Sequence, residues 1–519
     1  MSWQDEIREI ERRRAAALEL GGEDAVRRQH EEGRLTIRER IDAMVDRGTF
    51  QEVGTLSGSG RDEGGVRKVT PAPYVMGLAK VAGREVAIGG EDFTVRGGSS
   101  WGGDRRKGGQ GGFVEDLAYH YKIPLINLID GAGGSVTTIR RRGHSILPGV
   151  DGFERSVSLL SRVPVISAVL GTAAGGPAGR AILSHWSVMV KKRAQVFAAG
   201  PPVVERSLGQ KLAKEELGGA PVAVDAAGTI DNAVESEAEC FAAVQRFLSF
   251  MPNNVWELPP VLPTGDTPER EEEALASIVP RNRRQPYNMR KVVDLVVDRD
   301  SAFEIQPTFG KAVITSLARL NGKAVGVIAN NPMVNGGAVD GKAARKQIHF
   351  VELCDTFHIP IVFLVDVPGF MVGLQAETAG TLRDGMRCVY VLGTVTVPMV
   401  TVIVRKCYGM AGMATTNKNG LNLKIAWPSA EWGSLPIEGG AAAAFRREIQ
   451  SAPDPEARLQ EIEDELRALA SPFRTAEAFG IEDIIDPRKT RAYLCRFIDA
   501  VQPSLRTELG PKARAGVRP

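Results

Sequence analysis

Ile123-Pro124-Leu125-Ile126-Asn127-Leu128-Ile129-Asp130, followed by Gly131, returns later in the chain as Ile359-Pro360-Ile361-Val362-Phe363-Leu364-Val365-Asp366, followed by Val367-Pro368-Gly369. The two prolines stand 236 residues apart, at 124 and 360. Upstream of each run, Phe113-Val114-Glu115 matches Phe350-Val351-Glu352, and Gly97-Gly98 matches Gly336-Gly337. Downstream, Val163-Pro164 matches Val397-Pro398, and Gly175 matches Gly409. Similarity held in register across several elements implies two copies of one fold. A site assembled from two copies can hold two substrates face to face.

With 519 residues the chain is too long for a single core and suits two large domains. Its 65 Lys and Arg against 63 Asp and Glu favour neither a nucleic acid nor an acidic partner. Cys240, Cys354, Cys388, Cys407 and Cys495 lie far apart with no Cys-x-x-Cys pair, which argues against a zinc ribbon or a disulfide framework. No apolar run reaches membrane-spanning length, and Met1-Ser2-Trp3-Gln4-Asp5-Glu6 lacks the pattern of a signal peptide. A soluble, cytoplasmic protein is expected.

Residues 1–47 are charged and helical in pattern, with Leu35-Thr36-Ile37-Arg38-Glu39-Arg40-Ile41 resembling the start of an amphipathic helix. From about residue 75, short β-branched runs alternate with helical stretches at 111–121, 151–161 and 340–357. That alternation predicts βαβ units and α/β layers. The proline-rich run Leu258-Pro259-Pro260-Val261-Leu262-Pro263-Thr264-Gly265-Asp266 reads as a linker, placing the domains at 1–262 and 263–519. A charged helical tail begins near 442, punctuated by Pro453 and Pro455.

In each copy a glycine-containing turn follows a buried strand. The first is Gly171-Thr172-Ala173-Ala174-Gly175-Gly176-Pro177-Ala178-Gly179; the second is Arg405-Lys406-Cys407-Tyr408-Gly409-Met410-Ala411-Gly412-Met413. Small residues at a strand-to-helix turn let a ligand approach the main chain, and two N–H groups aimed at one carbonyl oxygen form an oxyanion hole. A single such turn can equally serve helix–sheet packing; its repetition favours function. Gly97-Gly98, Gly133-Gly134 and Gly369-Phe370 are further loops at repeated places; each taken alone reads as a turn, and together they are the candidate substrate-binding positions. None matches a P-loop or a dinucleotide fingerprint. The basic run Arg105-Arg106-Lys107-Gly108-Gly109-Gln110-Gly111-Gly112 and Arg140-Arg141-Arg142-Gly143-His144 are candidate phosphate loops or solvated surface. The six histidines show no metal or catalytic pairing, so no metal site is expected. His144 and His358 read as structural, and Asp130 and Asp366 as caps or turn formers. The chain offers two polarising turns and no general base, as expected if the substrate brings its own base.

Longer motifs then point to a family: Gly33-Arg34-Leu35-Thr36-Ile37-Arg38-Glu39-Arg40-Ile41, Glu216-Leu217-Gly218-Gly219-Ala220, Ala329-Asn330-Asn331-Pro332-Met333, Val365-Asp366-Val367-Pro368-Gly369-Phe370, Arg405-Lys406-Cys407-Tyr408-Gly409 and Ala426-Trp427-Pro428-Ser429-Ala430-Glu431. Through nearly its whole length the chain resembles the β (carboxyltransferase) subunits of biotin-dependent acyl-CoA carboxylases of the propionyl-CoA carboxylase type. The resemblance implies an α/β fold, a tandem duplication of a ClpP/crotonase-like β-β-α superhelix domain. It also implies the reaction. Carboxybiotin releases CO2, the biotin left behind takes the α-proton of an acyl thioester, and the thioester enolate attacks CO2.

By the family pattern the N–H groups of Gly175 and Gly176 would hold the thioester oxygen, and those of Met410 and Ala411 the biotin ureido oxygen, with the two assignments exchangeable. Coenzyme A thioesters of short or medium acyl groups, acetyl or propionyl first, are the implied substrates. Biotin would arrive on a partner, a biotin carboxylase and biotin carboxyl carrier (α) subunit, since no Ala-Met-Lys-Met site and no ATP-grasp-sized region occur here. Family members pair the N-terminal half of one subunit with the C-terminal half of another, which implies a dimer at least and a hexamer as the usual ring. The chain departs from the pattern at Gly409-Met410-Ala411, where Gly-Gly-Ala is usual, and at Met413, where an acyl-selecting residue is expected. Residues 99–112 and Gly131-Ala132-Gly133-Gly134 also differ, marking a divergent branch. Alternatives are a decarboxylase or transcarboxylase subunit using the same half-reaction, or a non-catalytic assembly subunit. A crotonase-type hydratase would need only one copy and a Glu acid–base pair.

Overall fold

The computed structural model describes residues 2–64, 66–99, 112–134, 136–145, 147, 151–416 and 423–512. Two compact units divide between Glu257 and Leu258, and the chain returns to the first unit at Gly510, whose N–H donates to the Val255 carbonyl (2.8 Å). The proline-rich run from Leu258 belongs to the second unit. It is tied down there: Leu262 N–H donates to Gly322 O (3.0 Å), and Arg319 Nη1 donates to Pro260 O (3.0 Å).

The sheet of the first unit runs in the order Gln51–Glu52, Tyr74–Val81, Arg84–Glu91, Leu125–Gly131, Val165–Ala174, Trp186–Val190 and Asn232–Val234, with Gln195–Phe197 also pairing with Val165–Ala174. The sheet of the second unit repeats this order with Phe303–Ile305, Val313–Leu320, Lys323–Asn330, Ile361–Val367, Met399–Tyr408, Leu423–Ala426 and Asp483–Ile484, with Glu431–Gly433 pairing with Met399–Tyr408. In both, the first three strands are antiparallel and the rest parallel.

Register fixes the correspondence residue by residue. The hairpin pairs Val81↔Arg84 and Leu320↔Lys323 lie 239 apart. The strand pairs Leu125↔Val165 and Ile361↔Met399 lie 236 apart at their first members and 234 at their second. Length differences between the copies therefore fall in the connections, and the strands keep their pairing.

The repeated prolines have a structural reason. Helix Phe113–Tyr121 ends at Lys122 (φ 56°) and helix Gly341–Thr356 is followed by His358 (φ 57°), both left-handed, and the next residues begin Ile-Pro. Proline cannot donate to the ladder but can accept from it. Pro124 O takes the Ala87 N–H (2.9 Å) and Pro360 O takes the Gly326 N–H (2.9 Å). Pro164 O and Pro398 O do the same for Leu125 (2.9 Å) and Ile361 (3.0 Å). The β-branched runs that follow are buried along their entire length, as parallel strands covered on both faces must be.

Each unit has its own core. In the first, Ile129, Val169, Met189 and Ile230 pack together, and Trp186 stacks on Phe247 with centroids 5.0 Å apart. In the second, Val327, Val362, Val402, Leu494 and Ile498 surround Trp427, whose indole N–H donates to Thr490 Oγ1 (2.9 Å). The charged N-terminal region forms Gln4–Leu18, Glu23–Glu31 and Ile37–Met44, the last opened by a capping box between Thr36 and Glu39. The charged tail is helical at Ile437–Ala444, Arg446–Ser451, Pro455–Leu469, Pro472–Glu477 and Thr490–Thr507, with Pro455 at a first helical position behind the Asp454 cap. No described helix is long and apolar enough to cross a membrane.

Candidate active site

In an open α/β sheet, ligands gather beyond the carboxyl ends of the parallel strands. That is where each unit collects its glycine turns. Strand Val165–Ala174 runs into Gly175, at φ 60° and ψ −119°, before the short helix Gly176–Ile182. Only glycine adopts that backbone without strain. Among the described residues, its chain neighbours apart, no atom lies within 4 Å of the position a Gly175 Cβ would take, so the main chain is open there. The two neighbouring loops close on this turn. A Cβ at Gly133 would meet Ala174 O at 2.4 Å, and one at Gly98 would meet Asp130 O at 2.7 Å. Ala132 N–H donates to Gly97 O (2.9 Å), joining the loops to each other. Gly134 faces open space. Thus Gly97, Gly98, Gly133, Gly134, Gly175 and Gly176 are brought together in the first unit.

The second unit repeats the construction in part. Strand Met399–Tyr408 ends at Gly409 (φ 59°), which opens the five-residue helix Gly409–Met413. Gly336 (φ 61°) matches Gly97 (φ 61°), and a Cβ at Gly337 would meet Asp366 O at 2.3 Å, as Gly98 does with Asp130. Gly369 (φ 145°) faces open space, and its carbonyl accepts from Val339 N–H (3.1 Å). Phe370 lays its ring against Gly385, leaving no room there for a larger residue. Ala411 is buried, whereas Met410 and Met413 are about half exposed beside the turn. Gly369, Phe370, Met410, Ala411 and Met413 therefore share the second unit's strand-end turns.

Register equates Gly175 with Gly409, Gly176 with Met410 and Pro177 with Ala411. The pairs expected to donate, Gly175/Gly176 and Met410/Ala411, are thus offset by one residue. Pro177 has no N–H, while Ala411 carries one. The first N–H groups of a helix lack intrahelical acceptors, and Gly176 and Met410 stand in the first turn of their helices.

Asp130 and Asp366 are more than caps. Both are fully buried at the ends of their strands. Asp130 is bound by Arg40 Nη1 (2.9 Å) and Arg34 Nη1 (3.3 Å), and Arg40 also reaches Glu237 (2.8 Å). Asp366 is bound by Arg405 (3.0 Å) and by the Lys406 N–H (3.2 Å). The arginines come from different places. Arg405 occupies the register position of Gly171, where a Cβ would strike the Asp130 carboxylate at 2.1 Å. The first copy leaves that strand position bare and brings Arg40 in from helix Ile37–Met44; the second copy carries its arginine on the strand itself. Neither partnership can be read from sequence, because Arg40 and Asp130 are 90 residues apart. The recurrence of an aspartate at the same strand end was the available signal.

Burial pulls the Lys406 ammonium below its ordinary value, opposed by Asp366, and pushes the Tyr287 hydroxyl well above its own, with Asp366 adding to the shift. Burial also raises the thiols, Cys388 to about 12 and Cys495 to about 11, and all five cysteines are free. None is poised as a thiolate nucleophile. His358 is buried and His144 exposed. The basic run at 105–112 lies outside the described residues except for Gly112. Among the described residues no group of three or more His, Cys, Asp or Glu is placed to hold a metal.

Comparison with known proteins agrees with this architecture. The carboxyl transferase domain family matches residues 28–515. A propionyl-CoA carboxylase carboxyltransferase subunit of Haloferax mediterranei is 35% identical over 496 residues, 95% of each chain. The methylmalonyl-CoA carboxyltransferase 12S subunit of Propionibacterium freudenreichii subsp. shermanii is 36% identical over 479 residues, 91% of this chain and 89% of that one. A methylmalonyl-CoA decarboxylase subunit alpha of Veillonella parvula is 32% identical over 518 residues, 99% of each. Among solved structures, a transcarboxylase 12S hexamer with methylmalonyl-coenzyme A bound superposes with TM-score 0.87 at 30% identity, covering 99% of this chain and 97% of that one. This chain belongs to the carboxyl transferase family, enzymes built from a tandem crotonase-like fold.

Proposed function

We propose that the chain is the carboxyltransferase component of a biotin-dependent acyl-CoA carboxylase, moving a carboxyl group between biotin and the α-carbon of a short acyl-CoA of the acetyl, propionyl or methylmalonyl type. The observation that carries this reading is the recurrence of one backbone turn, Gly175 at φ 60° and Gly409 at φ 59°, at the same strand end in each copy. Two carbonyl oxygens gain negative charge in such a transfer, that of the thioester and that of the biotin ureido group. Backbone donors preset at those oxygens favour the transition state over the ground state. Gly175 and Gly176 would serve the thioester, Met410 and Ala411 the ureido group. Gly97, Gly98, Gly133, Gly134, Gly369 and Phe370 would line the approach, and Met413 would set acyl size.

The open space at Gly134, Gly175 and Gly369 is consistent with ligands lying directly on the main chain. Biotin, delivered on a separate carrier and carboxylated by a separate biotin carboxylase, supplies the carboxyl group and the base. This chain binds, orients and polarises. We further propose self-association to a dimer or hexamer, as in the 12S relative, and a cytoplasmic setting.

The purified chain mixed with methylmalonyl- or malonyl-CoA and free biotin tests this. Carboxyl transfer to biotin is expected. Its absence with every acyl-CoA would favour an assembly subunit. The similarity to a decarboxylase subunit supports a second reading in which the same half-reaction drains carboxyl groups from methylmalonyl-CoA. Flux in both directions, with and without ATP and a biotin carboxylase, separates the two.

A further inference from the structure

The two copies hold the same loop carbonyl by different means. In the first, Gly97 O accepts the backbone N–H of Ala132 (2.9 Å). Ala132 corresponds to Pro368 in the second copy, by the spacing that equates Asp130 with Asp366. Proline has no N–H to give. In its place Gly336 O accepts Lys406 Nζ at 2.7 Å. Lys406 stands at the register position of Thr172, three residues before the turn glycine; the first copy has a hydroxyl there, whose Oγ1 accepts from Lys214 Nζ (3.3 Å).

The geometry points to Lys406 as the positioning residue of the second turn: its ammonium replaces the missing Pro368 N–H and ties the Asn335–Gly337 loop to the strand that ends at Gly409. The lysine is seated for this. Its own N–H donates to Asp366 Oδ1 (3.2 Å), its Nζ lies 3.6 Å from the same oxygen, and its side chain is 17% exposed. Arg405 and Glu431 are the other charges that act on it. Gly337, on the far side of the same loop, rests on Asp366 O. One ammonium therefore links the loop, the strand-end aspartate and the strand that leads into Gly409. Without it the Gly336 carbonyl loses this donor and the loop is left to the backbone hydrogen bonds Val339 N–H to Gly369 O (3.1 Å) and Met371 N–H to Val339 O (2.9 Å), while the residues proposed to touch substrate are unchanged in chemistry. This role rests on the carboxyltransferase reading for its effect on rate, but not for its effect on the loop.

The test replaces one donor and restores the other. Lys406→Met should lower kcat for carboxyl transfer by roughly 10- to 100-fold, the scale of a small misplacement at a reacting centre, with KM for acyl-CoA changed less. Adding Pro368→Ala to Lys406→Met returns a backbone N–H where Ala132 has one and should recover most of kcat. Hydrogen–deuterium exchange of peptides spanning residues 331–340 reads the loop directly: faster in Lys406→Met, restored in the double variant. Unchanged kcat and exchange in Lys406→Met would overturn the assignment, as would a double variant no better than the single. Should Lys406→Met alone fail to fold, a folded, active double variant upholds the assignment, and failure of both overturns it. If the unmodified chain transfers no carboxyl group, the carboxyltransferase reading falls, and exchange still decides the role of Lys406.

Discussion

Gly133 lies directly against Ala174: a Cβ on Gly133 would stand 2.4 Å from the Ala174 carbonyl oxygen, at the last residue before the Gly175 turn. The loop after one strand thus sets the position of the turn after the next.

Gly133→Ala is expected to push the Ala174–Gly175 backbone out of place. The residue sits at φ 78°, so the substitution carries both strain and overlap, costing about 1–3 kcal/mol of stability. Carboxyl transfer should fall well beyond what the lost folded fraction explains. Activity normalised to folded protein by circular dichroism checks this, and a fall matching only the unfolded fraction would count against the contact.

The donors themselves can be removed without disturbing a core. Gly176 is the first residue of its helix, a place that tolerates proline. Gly176→Pro should cut turnover about 100- to 1000-fold with the oligomer intact, the scale seen when one oxyanion donor is lost. Steady-state kinetics beside light scattering give both readouts, and near-normal turnover would rule out a donor role for this N–H.

Arg40 is 1% exposed and answers two buried carboxylates, Asp130 and Glu237. Arg40→Met would leave both without it. Removing one member of such a buried set costs about 3–5 kcal/mol. Urea denaturation should show that loss, whereas a change under about 1 kcal/mol would mean that Arg34 suffices for Asp130.

Lys346 is buried with its Nζ donating to Gln306 O at 2.7 Å, and burial lowers its pKa from 10.5 to about 7. The depressed value belongs to the folded state. Between pH 7 and 10.5 the unfolded chain binds the proton that the folded chain has released, so stability rises with pH in that window. Below pH 7 both states are protonated and the penalty is constant. Relative to Lys346→Met, the unmodified chain should gain roughly 1–3 kcal/mol between pH 7 and pH 9. Parallel pH dependences for the two would contradict it.

Met413 is half exposed at the end of helix Gly409–Met413. If it bounds the acyl pocket, Met413→Ala should shift preference toward longer acyl chains by roughly 10- to 200-fold per methylene. Competing acetyl-, propionyl- and butyryl-CoA against one another measures this, and an unchanged ratio removes Met413 from the pocket.

Much of the architecture was readable because proline and glycine act locally. Ile-Pro marks a strand's first residue by steric rule, and a glycine between a buried strand and a helix marks a turn. The hairpin Val313–Leu320 with Lys323–Asn330 carries no such punctuation beyond Asn321-Gly322, and the antiparallel start of each sheet was not apparent. The ion pairs were hidden for a different reason. Arg40 meets Glu237 across 197 residues of sequence, and only the closed fold brings them together. The one-residue offset between the two expected donor pairs followed already from matching Gly175 with Gly409 in the sequence, and strand register gives the same match. The exchange of Ala132 for Pro368 was visible as letters, but its meaning depended on where Lys406 Nζ lies.

Because the two copies differ in spacing only where strands are joined, from 239 through 236 to 234, insertions and deletions have been absorbed by connections that bear no ladder hydrogen bonds. Each turn can therefore be rebuilt by drift or design without re-threading its sheet. Loops transplanted from relatives at these junctions would change one copy's strand-end turns while leaving the strand pairing of both sheets as it is.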